Sequence, residues 1–431
     1  MREEYLGVQW LRQYHSSEPR LGLERVEALL ELVDNPHLKL PVIHIAGTNG
    51  KGSTVAHLAK LLEAYGQRVG IFSSPYIQAY EEQFLINFES IPTDTLQAYI
   101  SKYQQLFAKE SDNQAIQGIT EFELLTVLAY DYFADEAVDY VIMETGLGGL
   151  LDSTNVCRPV LTGITTIGLD HTAILGDTLE EIAQQKAGII KADTPLVTGR
   201  IEQAAYEVIV AQAAQKQAPL YGLDEAYHVA PIGQASAFGQ AFVYQSARIP
   251  ASNFTTPLLG LHQADNAGMA IRLFEVLAEA NHWLYNDERI QEALSQTWWP
   301  GRMEEISKGP RIIIDGAHNP HALARLKENL ASLGAADSID ILFACINTKA
   351  LEDMLALLHD MPYRTLNITT FAHEHAFSLE ELSEVKGEED ILIEDWRTFV
   401  DTYLQEASPK STLLITGSLY FISQVRKHVL K

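Results

Sequence analysis

The part of the sequence most suited to chemistry is a glycine-rich segment, Gly47-Thr48-Asn49-Gly50-Lys51-Gly52-Ser53. It lies between residues 41–46, whose apolar character predicts a buried strand, and residues 53–65, whose apolar side chains recur with helical spacing. Backbone N–H groups of such a loop bind phosphate oxygens, and Lys51 would reach the β- and γ-phosphates. Gly52 separates Lys51 from Ser53, so the segment departs from the standard G-x-x-x-x-G-K-[ST] motif. The segment predicts ATP binding; the alternative is a glycine-rich turn that only connects strand and helix.

Polar side chains follow three further predicted strands at the point where each strand ends. Ser74 comes after residues 69–72, Glu144 after residues 139–143, and Asp170-His171 after residues 160–167. Ligands of open parallel sheets bind outside the carboxyl ends of the strands, so we expect these side chains at the edge that carries the phosphate loop. A hydroxyl, a carboxylate and an imidazole suit Mg²⁺ beside a nucleotide. Taken singly, each position is also compatible with an ordinary polar loop residue.

Lys186 occupies an unusual position for a lysine. The segment Thr178-Leu179-Glu180-Glu181 has the form of a capping box and predicts a helix over residues 179–190. On that helix Ile182, Lys186 and Ile190 recur every four residues, so the lysine shares an apolar stripe. Burial would lower the pKa of its amine and favour the neutral, reactive form. The alternative is a lysine whose stem lies along the stripe while its ammonium group reaches water.

The composition is that of a packed globular chain with an acidic surface. Of 431 residues, 47% are hydrophobic and 20% are charged, and 57 Asp and Glu against 31 Lys and Arg give a net charge of −26. This charge repels phosphate backbones and argues against a nucleic-acid partner. Cys157 and Cys345 form neither a disulfide framework nor a metal-ligand spacing, as expected in a cytoplasmic protein. The charged N-terminus is unlike a signal peptide, and no apolar run approaches the roughly 18 residues of a membrane-spanning helix.

The order of predicted elements indicates two α/β domains. Strands and helices alternate from residue 41 onward, which favours a doubly wound parallel sheet, and residues 220–250 interrupt it with short strands or a hairpin. Pro300-Gly301 breaks any helix and predicts a larger domain of residues 1–299 and a smaller one of residues 300–431. Polar groups again mark the second domain: Arg302 follows Pro300-Gly301, Asp315 and His318 follow residues 311–314, and Ser418 follows residues 413–416.

A set of short motifs resembles one known family. The motifs are GTNGKGS, SSPYI, TEFE, ETGLGG-x-x-DSTN, GLDHTAILGDTLEEIAQQKAGIIK, LLGLHQADNA, PGRME and DGAHNP. Over residues 21–418 and in this order, they are similar to the folylpolyglutamate synthase/dihydrofolate synthase family of the Mur ligase superfamily. The resemblance implies a P-loop ATPase domain of doubly wound α/β fold, joined to a smaller Rossmann-like α/β domain.

The resemblance also implies roles for individual residues. The nucleotide-binding residues would be Thr48, Asn49, Gly50, Lys51, Gly52, Ser53, Asn266, Arg302 and Asp315. The ligands of two Mg²⁺ ions would be Ser74, Glu144, His171 and a carbamylated Lys186, and the catalytic residues would be Lys51, His171, Lys186 and His318. Leu23, Glu24, Arg25, Phe122 and Glu123 would bind the pterin, and Ser418 would lie with His318 on the glutamate side.

Several positions depart from the family pattern. Ala79 and Gln83 stand where arginines are common, and Leu150 replaces a frequent arginine after Gly148-Gly149. Thr348-Lys349-Ala350 stands where Asp-Lys-Asp is usual. These departures leave the phosphate and metal residues untouched and bear on the acceptor substrate.

The function that these motifs predict is an ATP-dependent ligase that adds L-glutamate to folate or to dihydropteroate through an acyl phosphate. Its cofactors would be ATP, Mg²⁺ at two sites and, as a further candidate, a monovalent cation. We expect a cytoplasmic monomer with small-molecule substrates and without a nucleic-acid or membrane partner. The alternatives are a cell-wall Mur ligase, a divergent paralogue with another acceptor, a P-loop kinase and a non-catalytic ATP-binding paralogue.

Overall fold

The structure is a computed structural model that describes residues 6–16, 20–76, 79–234, 239–330, 336–346 and 351–430. The chain divides into two compact units. The first unit comprises Met1–Val229, Tyr244–Ser252 and Asp265–Gln296, and the second comprises Ala230–Val243, Asn253–Ala264 and Thr297–Lys431. The last division therefore falls between Gln296 and Thr297, and the predicted boundary after residue 299 stays a prediction.

The first unit is built on an eight-stranded sheet. Its strands are β1 (Val42–Ala46), β2 (Val69–Phe72), β3 (Phe84–Ile86), β4 (Glu89–Ser90), β5 (Tyr140–Glu144), β6 (Pro159–Ile164), β7 (Leu196–Thr198) and β8 (Leu220–Gly222). The order is β4-β3-β2-β5-β1-β6-β7-β8, with parallel pairing from β2 to β8. Strand β1 is buried along its whole length, as expected for a central parallel strand covered on both faces.

Helices follow the strands of this sheet along the chain. They are α1 (Leu6–Arg12), α2 (Glu24–Glu31), α3 (Lys51–Ala64), α4 (Thr93–Lys109), α5 (Glu121–Asp135), α6 (Thr172–Leu175), α7 (Leu179–Ala187), α8 (Gln203–Gln215), α9 (Leu261–Ala280) and α10 (Asp287–Ser295). Capping boxes start α5 at Thr120 and α7 at Thr178. None of the helices in the described ranges is both long enough and apolar enough to cross a membrane.

Two further sheets complete the described chain. The strands β9 (Tyr227–Gln234), β10 (Gln240–Ser246) and β11 (Ser252–Thr256) form a small sheet of order β11-β10-β9. The second unit carries a six-stranded sheet of order β12-β13-β17-β14-β15-β16, formed by β12 (Glu304–Lys308), β13 (Arg311–Ile314), β14 (Ile339–Phe343), β15 (Thr365–Thr369), β16 (Ile391–Ile393) and β17 (Thr412–Thr416). Its helices are α11 (Pro320–Leu330), α12 (Leu351–His359), α13 (Leu379–Val385), α14 (Trp396–Glu406) and α15 (Leu419–Val429).

The predicted fold class is confirmed, namely α/β with a doubly wound, largely parallel sheet and a second, smaller α/β unit. Among the element ends predicted above, three differ from the structure by two residues or more. Helix α3 begins at Lys51, because Gly50 caps it with a φ of 84° that glycine adopts without strain. Helix α7 ends at Ala187, so Ile190 lies beyond it although its side chain is buried. Strand β6 ends at Ile164, because the following residues bond to the phosphate loop.

Candidate functional site

The glycine-rich loop lies between β1 and α3, with the N-terminus of α3 directly behind it. The Lys51 Nζ atom donates to the carbonyl oxygens of Gly47 at 2.9 Å and of Thr48 at 3.4 Å. The ammonium group is therefore held against the loop whose N–H groups can bind phosphate oxygens.

Residues after β6 brace this loop from the neighbouring strand. Thr165 Oγ1 donates to the Asn49 carbonyl at 2.6 Å, and Asn49 N–H donates to Thr166 Oγ1 at 3.1 Å. The Thr48 hydroxyl donates to the Gly168 carbonyl at 3.1 Å and accepts from Gly168 N–H at 3.0 Å. Sequence reasoning missed these residues, because Thr165 and Thr166 fall inside the strand predicted over residues 160–167.

Asn266 lies against the same loop. A Cβ atom at Gly50 would lie 2.5 Å from Asn266 Oδ1, so a larger residue at this position would displace the asparagine. The residue before Asn266 is held by Arg200, whose Nε and Nη2 atoms donate to the two Asp265 oxygens at 2.8 and 3.0 Å. The Arg200–Asp265 pair, which no motif pointed to, ties the end of β7 to α9 beside the phosphate loop.

The three predicted strand-end residues lie in this unit. Glu144 is the last residue of β5, is buried, and lies opposite Ile45 of β1. Ser74 follows β2 and is half-buried. His171 directly precedes α6 and has a φ of 48°, a left-handed conformation that histidine adopts more readily than most residues. Its N–H donates to Asp170 Oδ1 at 3.0 Å.

Lys186 is buried, with only 4% of its surface exposed. Burial, and to a lesser extent the charge of Lys51, lowers the pKa of Lys186 to about 7, against the opposing effect of Asp170 and Asp152. Gly168, two residues before Asp170, is bonded to Thr48, so the Asp170-His171 turn follows a segment that contacts the phosphate loop, and the charges of Lys51 and Asp170 both affect Lys186. The predicted inward orientation of Lys186 agrees with this burial.

Two glycines of the ETGLGG motif permit close approaches at this site. A Cβ atom at Gly149 would lie 2.8 Å from the Gln185 carbonyl oxygen and 3.0 Å from Lys186 Cα. A Cβ atom at Gly146 would lie 2.6 Å from the Phe122 ring. The motif therefore lets the loop after β5 pack against the last turn of α7 on one side and Phe122 on the other.

Of the predicted Mg²⁺ ligands, Ser74 and Glu144 carry oxygen donors of the kind that this ion prefers. The described residues contain no cluster of three or more His, Cys, Asp or Glu side chains arranged for a metal. Mg²⁺ beside a nucleotide needs only one or two carboxylates, because phosphate oxygens and water supply its other ligands. A buried carboxylate next to a phosphate loop meets this requirement.

The residues predicted to bind the pterin have structural bonds of their own. Arg25 Nη2 lies 3.0 Å from Glu123 Oε1, and Glu123 also accepts from the N–H of Thr120 at 2.7 Å. Leu23 precedes the first residue of α2, and Glu24 is that first residue. Arg25 and Glu123 neutralise each other and link α2 to the start of α5, which places Phe122 between them and Gly146.

An aromatic cluster that the sequence analysis did not identify lies beside the residues expected to bind the pterin. The rings of Tyr76 and Tyr80 lie 4.7 Å apart, and the Arg12 guanidinium lies 5.9 Å from the Tyr80 centroid. The Tyr80 hydroxyl donates to Glu121, which also pairs with His15 at 2.9 Å. The two tyrosines, four residues apart after Ser74, were the only signal in the sequence.

The second unit gathers its own predicted residues at one sheet edge. Arg302 lies across Gly316, where a Cβ atom would come within 2.9 Å of Arg302 Nη1. Burial raises the pKa of Asp315, and the charge of Arg302 opposes that shift. His318 Nδ1 lies 2.7 Å from the Gly316 carbonyl oxygen, a distance at which it donates a hydrogen bond.

Ser418 belongs to the same edge. The neighbouring Gly417 N–H donates to the Ala317 carbonyl at 3.0 Å, and Ser418 Oγ accepts from Tyr420 N–H at 3.2 Å to cap α15. The ends of β13 and β17 therefore bring Asp315, His318 and Ser418 together.

The departures from the family pattern fall in different environments. Gln83 is buried, and its Nε2 atom has no hydrogen-bond partner among the described residues. Leu150 is exposed, and its Cα would lie 2.4 Å from a Cβ atom at Gly188. Ala79 is half-buried, directly before a short 3₁₀ turn. Thr348 and Ala350 lie outside the described residues.

Comparisons with known proteins agree with the motifs. Residues 45–274 match the Mur ligase middle domain, and residues 301–419 match the Mur ligase, glutamate ligase domain. The chain is 35% identical to the dihydrofolate synthase/folylpolyglutamate synthase of Bacillus subtilis over 95% of both chains. It is 34% identical to the folylpolyglutamate synthase of Lacticaseibacillus casei over 97% of both. A solved FPGS–AMPPCP–folate complex superimposes with a TM-score of 0.85 at 32% identity, covering 99% of each chain.

Proposed function

Because this chain belongs to the Mur ligase family, we propose that it is an ATP-dependent ligase that joins L-glutamate to folate. The observation that carries the proposal is the convergence of the phosphate loop, the Asp170-His171 turn and the buried Lys186 in one unit. A phosphate loop by itself is found in many classes of nucleotide-binding protein and does not indicate a ligase. A buried lysine with a lowered pKa in the same unit is a candidate catalytic group, which favours an enzyme over a protein that only binds a nucleotide.

The reaction proceeds in two balanced steps. A carboxylate oxygen of the folate attacks the γ-phosphorus of ATP, the bond to the β–γ bridging oxygen breaks, and an acyl phosphate and ADP result. The amine of L-glutamate then attacks the acyl carbon, phosphate leaves, and the amine loses a proton as the amide forms. Both steps depend mainly on positioning and on neutralising the phosphoryl charge.

The residues of the first unit have separate roles in this reaction. Lys51 and the loop N–H groups bind the β- and γ-phosphates, and Thr165 and Thr166 keep the loop in shape. Ser74, Glu144 and His171 would hold Mg²⁺, which when bound neutralises charge on the phosphate oxygens. Asn266 is assigned to the nucleotide because it lies against Gly50.

Residues of the second unit are assigned by the same reasoning. Arg302 supplies a cation and Asp315 a carboxylate for the nucleotide. His318 and Ser418 would contact the incoming glutamate. The imidazole of His318 is oriented by its bond to the Gly316 carbonyl.

Lys186 is assigned as a carbamate. The neutral amine, which burial favours, attacks CO₂ at carbon, and loss of one proton leaves a carboxylate on Nζ. This carboxylate would join the donors of a second Mg²⁺. The modification also removes a cation that would otherwise lie next to Lys51.

The first test is the dependence of phosphate release on glutamate. We expect the wild-type protein to release phosphate at its full rate only with ATP, Mg²⁺, a folate acceptor and L-glutamate together, because the acyl phosphate is turned over by the amine. The measurement is phosphate release over a matrix of acceptors, with and without L-glutamate and with D-glutamate as the matched control. Equal release without an amino acid would replace the ligase with an ATPase activity, in which water takes the phosphoryl group.

The second test concerns Gln83, whose buried amide nitrogen lies in the segment after Ser74. We expect Gln83→Arg to lower the KM for glutamate-bearing acceptors about tenfold, because an arginine pairs bidentately with a carboxylate whereas an amide does not. Gln83→Met, which has a similar size and no polar end, is the control and should not lower it. An unchanged KM for folate in Gln83→Arg would place residue 83 outside the acceptor site.

We extend the proposal to dihydropteroate as a second acceptor, because the name of the Bacillus subtilis relative covers both activities. The same acceptor matrix tests it through phosphate release with dihydropteroate and L-glutamate. The cytoplasmic location, the monomeric state, the absence of nucleic-acid and membrane partners and the monovalent cation stay predictions.

A further inference from the structure

The backbone N–H groups on both sides of Arg302 donate hydrogen bonds to carboxylates. Before it, the N–H of Gly301 donates to Glu304 Oε2 at 2.9 Å. After it, the N–H of Met303 donates to Asp315 Oδ2 at 2.9 Å. Two carboxylates therefore fix the backbone from which the Arg302 side chain extends.

Glu304 is held in turn by Arg426 of α15. Arg426 Nε donates to the two Glu304 oxygens at 2.9 and 3.1 Å. The two side chains are only 9% and 14% exposed, so the pair is largely screened from water. The Arg426 guanidinium also lies 5.6 Å from the centroid of the Trp298 ring. Arg426 thus contacts the turn both before and after Arg302, although 122 residues separate it from Glu304.

We propose that Glu304 and Arg426 are positioning residues that hold Arg302 in the orientation required for nucleotide binding. The inference rests on the proposed function, which assigns Arg302 to the nucleotide. Without Arg426, Glu304 would be a buried carboxylate without its cation, and it would turn toward water and release the Gly301 N–H. Without Glu304, the Gly301 N–H loses its acceptor and Arg426 its partner. In both cases the Pro300-Gly301 turn becomes free to rotate, and Arg302 leaves its place across Gly316.

The test compares Glu304→Gln, Arg426→Met, the double variant and Arg426→Lys. We expect each single variant to raise the KM for ATP and the dissociation constant for ADP about tenfold, as the loss of a group that orients a ligand-binding residue typically does. The KM values for folate and glutamate should stay as in the wild type. The double variant should bind ADP no more weakly than either single variant. Arg426→Lys should keep most of the affinity for ADP because it keeps the cation.

A neighbouring pair provides the matched control. Arg311 Nε lies 3.0 Å from Glu305 Oε2, with 17% and 15% of the two side chains exposed, and this pair joins β12, the strand that also carries Glu304, to β13. Glu305→Gln should lower the Tm about as much as Glu304→Gln while leaving ADP binding unchanged.

Three results would overturn the proposal. One is ADP binding that weakens equally in Glu304→Gln and Glu305→Gln. Another is a double variant whose loss of binding free energy for ADP equals the sum of the two single losses. The third is an Arg302→Ala variant that binds ADP like the wild type. Calorimetric ADP binding needs no turnover, so it separates this proposal from the ligase function. A wild-type chain that binds ADP but never forms an amide would remove the proposed function alone. Arg426→Lys keeps the comparison available if Arg426→Met does not fold.

Discussion

Lys51→Ala is expected to lower kcat/KM for ATP roughly 100-fold or more, because a cation on the β- and γ-phosphates acts mainly as charge develops during phosphoryl transfer. Among the described residues, the partners of the Lys51 ammonium are two loop carbonyls, of Gly47 and Thr48, so its removal leaves no buried ion there without a partner. The variant should therefore fold normally. Steady-state phosphate release, together with the circular dichroism spectrum and Tm, measures both effects.

Lys60 offers a matched control on the same helix. Its Nζ atom pairs with Glu63 at 2.8 Å, so Lys60→Ala removes a lysine and an ion pair from α3 without changing the phosphate loop. We expect Lys60→Ala to keep near wild-type turnover. Near wild-type turnover in Lys51→Ala would show that the loop assignment is wrong.

Lys186→Ala is expected to lose activity to a similar degree, again roughly 100-fold, because it removes a charged group from the phosphoryl site. If Lys186 acts as a carbamate, acetate or formate should restore part of the activity by supplying a carboxylate in the vacated space. Carbon-13 NMR of protein equilibrated with labelled CO₂ should show a carbamate signal that disappears in Lys186→Ala.

Lys191 is the control for this experiment. Burial lowers the pKa of Lys191 as well, but its Nζ atom donates to the Asn155 carbonyl at 3.2 Å. Lys191→Ala should keep the carbamate signal. A wild-type spectrum without a carbamate, or a high-resolution map with an unmodified ammonium at Lys186 in the presence of Mg²⁺ and CO₂, would contradict the assignment.

Carbamylation of Lys186 should decrease as the pH is lowered. The pKa of unmodified Lys186 is lowered to about 7, so the amine is mostly neutral above that pH and mostly protonated below it. Only the neutral amine reacts with CO₂. The carbamate signal and the activity should therefore both fall as the pH drops through about 7, and adding bicarbonate should raise both at a fixed pH.

The confirmed predictions share a local origin. The phosphate loop is one continuous segment between an apolar strand and a helix, so its position in a doubly wound sheet follows from the order of elements along the chain. The burial of Lys186 could likewise be predicted, because Ile182 one turn earlier already marks the inner face of α7. The eight motifs led to the Mur ligase family, which the comparisons confirm.

The sequence left the roles of single residues open. Glu123 and Arg25 were predicted to bind substrate, yet each is bonded to the other, and the sequence contained no sign of that pairing. Whether they also touch a pterin stays a prediction. The end of β6 was placed three residues too late, because Thr165 and Thr166 have strand-forming side chains that the fold uses instead to bond to Asn49.

The sequence by itself therefore determined the class of fold, the phosphate loop, the inward-facing lysine and the family, because each follows from short continuous segments and from their order along the chain. Only the tertiary structure decided the pairs that hold those residues in place: Thr165 with Asn49, Arg200 with Asp265 and Arg426 with Glu304. Their partners lie 116, 65 and 122 positions apart. Local periodicity specifies which face of an element a side chain occupies, whereas the neighbour across that face depends on how the sheets order their strands.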